Sequence, residues 1–328
     1  MPDVTYSFLF VNFNMWGLLE KCIHALFESL ENDEPYEIVV ADNSTDPAFA
    51  APENCAGLYP QIKLLRLAEN RGWVHALNQA LPLAAGRFVI IMHPDVEVTP
   101  GCLARLRGFL EAHPRAGIVG PDLSYPDGTP NAIRTRFPTL GVELRRIVNI
   151  LTHIVLKRKF IRDELLWNHE RDARVDMVMS VLMMVRHEVL SAIGPIDERL
   201  WTYYANDWLC ARAGKLGWTC HYVAGAKAIH YERHANQRLY SSAEASSYKR
   251  SSMPVSDRMF ADKFIFLQQV AEPLRLLAFR LLATCEFLIH IAAQLKRPRE
   301  ERNVAILKLW ATIRAVWRLE RKCAVQDS

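Results

Sequence analysis

The chain reads Phe88-Val89-Ile90-Ile91-Met92 at one of its most apolar points and continues directly as His93-Pro94-Asp95-Val96-Glu97. Five apolar, β-rich residues predict a strand that is buried on both faces. The polar residues after it predict a turn at the carboxyl end of that strand. Such a turn offers Asp95 and Glu97 as oxygen ligands for a magnesium or manganese ion that bridges two phosphates, because hard cations select carboxylates. The alternative is a Pro-Asp turn with solvated acids.

Apolar β-rich runs and helical patterns alternate along the first third of the chain. Strands are predicted at Ser7–Val11, Glu37–Ala41 and Phe88–Met92, and helices at Trp16–Leu30, Arg71–Ala85 and Cys102–His113. This alternation is typical of βαβ units and predicts an α/β fold with a doubly wound, mainly parallel sheet. In an open sheet of this kind, ligands bind in the loops at the carboxyl ends of the strands.

The composition predicts a folded protein with a sizeable core, because half of the 328 residues are hydrophobic and 23% are charged. The net charge of +4 is small, but the cations concentrate in 134–174 and after 296. This favours a local anionic partner and no nucleic acid. Seven cysteines without metal-binding spacing are expected to be reduced thiols of a cytoplasmic protein. Neither a secretory signal nor a bilayer-spanning helix is predicted.

Three parts are expected along the chain. Residues 1–240 would form the nucleotide-binding domain, 241–258 a Ser-rich linker or mobile loop, and 259–328 a basic, amphipathic helical extension. Apolar residues at helical spacing stand among cations in 273–295 and 304–317, as in helices that lie on an anionic membrane surface. The same stripes could instead pack on the catalytic domain or on a second copy in a homodimer.

Two loops carry groups suited to a nucleotide. Asp42-Asn43-Ser44-Thr45-Asp46 follows a strand, where a carboxylate can accept hydrogen bonds from a base or ribose, although an ordinary Asx-rich turn has the same composition. Asn70-Arg71-Gly72 precedes a helical run that includes Asn78, so a guanidinium and free amides at a helix N-terminus would stabilise a diphosphate. The alternative is a cap followed by a surface arginine. No GxGxxG or GxxxxGK[ST] motif occurs.

Asp207 and His230 are the remaining candidates. Asp207 follows the aromatic stretch Trp201–Tyr204, and a carboxylate among aromatic side chains can act as general base for a sugar hydroxyl. It could also simply cap the following helix. His230 stands at the end of an apolar strand-like run, where a lone histidine is more often a structural residue than a metal ligand.

Taken in order, these motifs resemble glycosyltransferase family 2, closest to its rhamnosyltransferase-like bacterial branch. The motifs are Val11-Asn12-Phe13-Asn14, Asp42-Asn43-Ser44-Thr45-Asp46, Asn70-Arg71-Gly72, His93-Pro94-Asp95-Val96-Glu97, Gly194 to Arg199, Asn206-Asp207 through Arg212, Gly217-Trp218 and His230. The resemblance covers roughly 6–234. It implies a GT-A fold, an inverting mechanism, a divalent cation (Mg or Mn), a nucleotide diphosphate sugar as donor and a glycan or lipid-linked acceptor. A dTDP- or UDP-sugar is implied, with rhamnose as the first expectation.

The resemblance also implies roles for single residues. Asp42 would contact the nucleotide base, and Asp95 would be the metal-binding end of the family's DxD motif, with His93 in place of its first acid. The donor-binding residues would be Asn12, Asn14, Asp42, Asn43, Asn70, Arg71, Gly72, Asn78 and His93. The metal ligands would be Asp95, Glu97 and His230.

The motif around the base departs from the family. Relatives often read Glu-Asp-x-Asp-Leu-Cys-x-Arg, whereas this chain reads Ala205-Asn206-Asp207-Trp208-Leu209-Cys210-Ala211-Arg212. Either the chain is one residue shorter here and Asp207 is the base, or the catalytic acid is missing and the chain is a non-catalytic nucleotide- or carbohydrate-binding protein of the same fold. We favour the first, because Asp207 is the only carboxylate in the aromatic stretch and a loop-to-helix junction easily absorbs one residue of slack. A nucleotidyltransferase would need a Gly-rich nucleotide loop near the N-terminus, and none is present.

Overall fold

The computed structural model describes residues 4–30, 34–131, 135–156, 170–231 and 255–294, with nine further positions between 303 and 317. The chain forms two compact units. The first comprises Met1–Arg136 and Leu165–Ser252, and the second comprises Phe137–Glu164 and Met253–Ser328.

Strands and helices alternate through the first unit, and the second is helical. The strands are β1 (Tyr6–Asn12), β2 (Tyr36–Asp42), β3 (Ile62–Arg66), β4 (Phe88–Met92), β5 (Val96–Val98), β6 (Ala116–Ser124), β7 (Ala173–Val175), β8 (Leu182–Arg186) and β9 (Thr219–His230). The helices are α1 (Trp16–Ser29), α2 (Cys55–Leu58), α3 (Trp73–Ala80), α4 (Cys102–Ala112), α5 (Leu140–Leu156), α6 (His187–Ile193), α7 (Ala205–Lys215), α8 (Val255–Val270) and α9 (Pro273–Gln294).

The described strands form one sheet in the order β3-β2-β1-β4-β8-β6-β9-β5, with β7 paired to β9. The pairs among β1, β2, β3 and β4 are parallel, as the βαβ alternation predicts, and β6 is also parallel to β9. The pairs β4–β8, β6–β8, β5–β9 and β7–β9 are antiparallel. β1 and β4 are buried along their whole length, which explains their continuous apolar sequences.

This topology brings distant residues to one edge of the sheet. β4 and β6 both run antiparallel to β8, and β9 runs parallel to β6, so β1, β2, β4 and β9 all point the same way. Their carboxyl ends are Asn12, Asp42, Met92 and His230. The loops that follow β1, β2 and β4 therefore meet the end of β9 at one edge, where ligands bind in sheets of this kind.

Two predicted boundaries differ from the structure. The helix predicted over Arg71–Ala85 runs only over Trp73–Ala80, and a single 3-10 turn, Leu81–Leu83, follows it. Pro82 explains the early end, because it lacks the backbone N–H that would continue the α-helical hydrogen-bond pattern. Of the range predicted as a linker, 241–254 lie outside the described residues, whereas α8 begins at Val255.

The second unit packs α5, from the middle of the chain, with α8 and α9. Its core contains the buried aromatic side chains of Phe260, Phe264 and Phe287. Arg146 of α5 binds Glu286 of α9 through both carboxylate oxygens, with its Nη2 2.5 and 2.6 Å from them. In the part of the chain that is described, no helix combines the length and the apolarity that a bilayer crossing requires.

Candidate active site

Three side chains meet where β4 and β9 end. His93 and Asp95 lie in the turn after β4, His230 is the last residue of β9, and the ligand atoms of the three lie within 4.8 Å of one another. His230 Nε2 is 3.6 Å from Asp95 Oδ2. In the antiparallel register between β5 and β9, Val96 pairs with His230. This pairing places the turn that contains His93 and Asp95 beside the His230 imidazole. Two imidazole nitrogens and one carboxylate oxygen form a donor set that suits a divalent transition metal.

The protonation of this cluster fits a cation. Burial lowers the pKa of His93, which keeps the imidazole neutral with a lone pair available. Burial raises the pKa of Asp95, but the hydrogen bond with His230 and the influence of His93 outweigh it, so the net pKa of Asp95 is lowered. Metal ligands must be deprotonated, and the lowered pKa values of His93 and Asp95 both favour that state.

Glu97 lies outside this cluster of described residues, although the sequence predicts it as a metal ligand. Its carboxylate accepts a 2.6 Å hydrogen bond from the Tyr231 hydroxyl, and this bond raises the pKa of Tyr231 to about 12. His93, which the sequence predicts as a residue that binds the nucleotide sugar, is the third member of the cluster, with Asp95 and His230. Asp95, Glu97 and Tyr231 also line a cavity of about 310 Å³ against α1.

Asn12 and Asp42 meet at the adjoining ends of β1 and β2. Asn12 Nδ2 donates to Asp42 Oδ1 over 2.9 Å and to Ser44 Oγ over 3.0 Å. Asp42 Oδ2 accepts from the Ala51 backbone N–H over 2.7 Å and lies 3.6 Å from Arg66. The buried Asp42 carboxylate thus organises the loop after β2.

Asn14 and Asn43 tie this loop to its neighbours. Asn14 has a φ of 56°, and its Oδ1 accepts from the backbone N–H groups of Thr45 and Asp46. Asn43 Nδ2 donates to Asn70 Oδ1 over 2.9 Å. Residues from three separate motifs that are predicted to bind the nucleotide sugar therefore share one hydrogen-bond network.

Asn70, Arg71 and Gly72 lead into α3. The Gly72 N–H donates to Asn70 Oδ1 over 2.9 Å. Gly72 has a φ of 100°, and a Cβ there would lie 2.7 Å from the Trp201 ring, so only glycine fits. Arg71 is half-exposed and lies 3.7 Å from Glu198 and 3.8 Å from Glu69. Its guanidinium is therefore accessible at this edge of the sheet.

Asn78 and Glu198 lock α3 to the loop before α7. The Asn78 amide donates to the Ile196 carbonyl over 2.7 Å and accepts from its N–H over 2.9 Å. Burial raises the pKa of Glu198, but hydrogen bonds from His75 and Asn78 outweigh it, so the net pKa is lowered. The structure thus gives Asn78, predicted as a donor-binding residue, two contacts to the protein backbone.

Asp207 lies in the first turn of α7, where a carboxylate is stabilised by the helix dipole. Tyr204, with a φ of 58°, occupies the N-cap position, so Asp207 is not the cap. The Asp207 side chain is 1% exposed, whereas Asn206 is half-buried. The Asp207 carboxylate is therefore inaccessible from solvent in this conformation.

Sequence reasoning missed one residue beside the cluster. The Asn131 amide nitrogen lies 2.7 Å from His230 Nδ1, and both residues are buried. Pro126-Asp127-Gly128-Thr129 has the composition of a tight turn and stands just before Asn131. That turn, read together with the apolar residues before it, could have indicated a chain reversal at the end of β6.

Comparisons with known proteins identify the family of this chain. Residues 7–192 match the family described as glycosyl transferase family 2. A relative from Mycobacterium tuberculosis (strain ATCC 25618 / H37Rv), named N-acetylglucosaminyl-diphospho-decaprenol L-rhamnosyltransferase, is 29% identical over 256 residues. The alignment covers 73% of this chain and 80% of the relative.

Solved structures share the fold. S. aureus TarS 1-349 in complex with UDP-GlcNAc gives a TM-score of 0.53 at 16% identity, over 95% of this chain and 82% of that one. GalNAc-T7 with UDP, GalNAc and Mn2+ gives 0.55 at 16% identity, over 81% of this chain and 48% of that one. This chain therefore spans about half the length of the second structure. Both neighbours are glycosyltransferases of the GT-A fold, which is the fold of this chain.

Proposed function

Since the chain belongs to glycosyltransferase family 2, we propose that it transfers L-rhamnose from dTDP-rhamnose to a lipid-linked glycan with the help of a divalent cation. The chain is a glycosyltransferase, and the choice of sugar and acceptor follows the name of its mycobacterial relative. The observation that carries the proposal is the cluster of His93, Asp95 and His230 at the strand ends, beside the Asn12–Asp42 network.

His93, Asp95 and His230 would hold the cation. The cation would neutralise the charge that develops on the departing diphosphate. Two nitrogen ligands favour manganese over magnesium, because magnesium prefers an all-oxygen shell. Three protein ligands leave other coordination positions to phosphate oxygens.

The remaining steps fall to groups of the chain itself. Arg71 would turn from Glu198 and Glu69 to the diphosphate and share its charge. Asp42 would face the base of the nucleotide. A general base would remove the proton of the acceptor hydroxyl. The acceptor oxygen would then displace the nucleoside diphosphate from the sugar with inversion.

We assign the base to Asp207. Glu198 is a second candidate, because it is more exposed and lies near Arg71. Its lowered pKa makes it a weak proton acceptor, however, and its bonds to His75 and Asn78 already engage both carboxylate oxygens. These contacts favour Asp207 despite its burial.

The helical unit would bind the membrane that carries the acceptor. It contains 19 Lys and Arg against 11 Asp and Glu, a net charge of +8, whereas the first unit has 21 against 25, a net charge of −4. Along α9, Leu274, Leu277, Leu281 and Leu288 are exposed at helical spacing. An apolar stripe on a cationic unit matches an anionic lipid surface in both properties.

A panel of nucleotide sugars tests the proposal. We expect release of dTDP from dTDP-rhamnose to require a polyprenyl-diphosphate-linked acceptor and to be stimulated more by Mn²⁺ than by Mg²⁺. Turnover with UDP-sugars but not with dTDP-rhamnose would overturn the proposed donor. Full turnover after removal of metal ions by a chelator would overturn the role of the cation. Binding of donors without turnover would indicate a non-catalytic protein.

A further inference from the structure

Asn131 contacts the imidazole of His230 on the side turned away from Asp95. The Asn131 amide nitrogen is 2.7 Å from His230 Nδ1, and the opposite nitrogen, Nε2, is 3.6 Å from Asp95 Oδ2. Both residues are about 5% exposed. A buried amide in contact with one ring nitrogen decides where the proton of a neutral imidazole resides.

The loop before Asn131 fixes the position of this amide. Gly128, with a φ of 80°, closes a tight turn after β6. Asp127 Oδ1 accepts from the Thr129 N–H over 2.9 Å and from its hydroxyl over 2.6 Å. The Asn131 N–H then donates to the Leu123 carbonyl of β6 over 2.9 Å. Because β6 is paired with β9, the loop and the imidazole are held on one framework.

The observed contact corresponds to one of two proton positions. When the amide N–H donates to Nδ1, the neutral ring carries its proton on Nε2, directed at Asp95. An imidazole that binds a metal through Nε2 must carry its proton on Nδ1 and needs an acceptor there. A half-turn of the amide supplies that acceptor, because the side chain of asparagine donates through nitrogen and accepts through oxygen.

We propose that Asn131 is a positioning residue that serves both forms of His230. It donates to Nδ1 when the cluster is free of metal, and it accepts the Nδ1 proton through Oδ1 when Nε2 binds a divalent cation. On metal binding, the Nε2 proton is released to water and a proton is taken up from water at Nδ1. This inference rests on the proposed metal site.

Manganese binding, followed by the electron paramagnetic resonance signal of free Mn²⁺, tests the proposal without turnover. Asn131→Leu keeps the approximate volume but can neither donate nor accept, so we expect its Kd for Mn²⁺ to rise about 10- to 100-fold. Asn131→Asp is a permanent acceptor and should bind at least as tightly as the natural chain. Thr129→Ala alters the same loop without touching the imidazole, and its Kd should stay within about twofold.

The outcomes separate the two proposals. A natural chain that binds no Mn²⁺ overturns the metal site itself. A natural chain that binds Mn²⁺ with the same Kd as Asn131→Leu overturns only the role of Asn131, as does weaker binding by Asn131→Asp than by Asn131→Leu. If the leucine variant fails to fold, nitrogen NMR of ¹⁵N-histidine-labelled natural protein decides. The His230 proton should move from Nε2 to Nδ1 when Zn²⁺ is added, and a proton that stays on one nitrogen overturns the proposal.

Discussion

Asp95 contributes the single carboxylate of the His93–Asp95–His230 cluster, and its removal should abolish catalysis. We expect Asp95→Asn to lower turnover about a thousand-fold or more, because several kcal/mol of charge stabilisation would be lost. Glu97→Gln is the matched control: its carboxylate is bonded to Tyr231, so this variant should retain Mn²⁺ binding. Turnover and Mn²⁺ titration measure both effects. Full manganese-stimulated activity in Asp95→Asn would contradict the assignment.

Asp207 as general base can be tested against its neighbours. We expect Asp207→Asn to lower kcat by about 10²- to 10⁴-fold while donor binding persists, the usual cost of losing a positioned base. Glu198→Gln should lower kcat far less. A larger loss in Glu198→Gln would move the role to that residue, and a gain of activity in Asn206→Asp would show that the family's acid belongs at Asn206.

Strand-end reasoning placed the candidate residues after β1, β2 and β4 at one edge of the sheet because it uses local information. The apolar run before His93 indicates a buried strand, and whatever follows such a strand reaches the ligand edge. Glu97 stands two residues from Asp95, and its hydrogen bond with the Tyr231 hydroxyl joins two residues that are 134 positions apart, a contact that local sequence does not display. Asn131 was not found because its role depends on the pairing of β6 with β9, which the sequence does not display.

Among the elements, β1, β2 and β4 were predicted within a residue or two, whereas β3, at the end of the sheet order, and β6, inside it, were missed. β3 lies at the end of the sheet order and is largely exposed, so its sequence lacks a clear apolar period. β6 contains Gly117, Gly120 and Pro121, which usually interrupt strands. Pro121 is tolerated because the register with β9 shifts just after it. The assignment of α5 to the helical unit depends on long-range packing.

The ion pair between α5 and α9 should be important for the stability of the helical unit. Arg146→Met would leave the Glu286 carboxylate buried without its bidentate partner, and we expect a loss of about 3 kcal/mol in the free energy of unfolding. The double variant Arg146→Met with Glu286→Leu should recover most of the lost free energy of unfolding, because no buried charge is then left without a partner. Urea denaturation followed by circular dichroism measures both. Equal losses in the single and double variants would contradict this interpretation.

The same pair gives the helical unit a pH dependence. Burial raises the pKa of Glu286, but its hydrogen bond with His290 and the charge of Arg146 outweigh this, so the net pKa is lowered. A lowered carboxyl pKa contributes stability above the unfolded value, and this stability is lost as the pH falls through the folded value. We therefore expect the Arg146→Met loss to shrink in acid, below about pH 4. A loss that is independent of pH would exclude this contribution.

At the scale of the whole molecule, the division of charge between the two units predicts salt-sensitive lipid binding. The full chain should sediment with anionic vesicles at low salt, and Leu277→Glu with Leu281→Glu should abolish this, because the charges would lie in the headgroup boundary. Leu58→Glu with Leu216→Glu alters exposed leucines of the first unit and should bind normally. Equal binding by both double variants would exclude the α9 stripe. A natural dimer that the α9 variant converts to monomers would instead assign the stripe to a second copy.

The two imidazoles of the proposed metal site also make its occupancy depend on which transition metals the cell supplies. Affinity at nitrogen-rich sites rises from manganese towards copper and remains high for zinc, so supply and not preference decides which ion is bound. A site with two carboxylates could be filled by magnesium, which prefers oxygen ligands, whereas a site with His93 and His230 would depend on scarcer transition metals. If the proposed site holds manganese, both a shortage of manganese and an excess of zinc would change which ion occupies it.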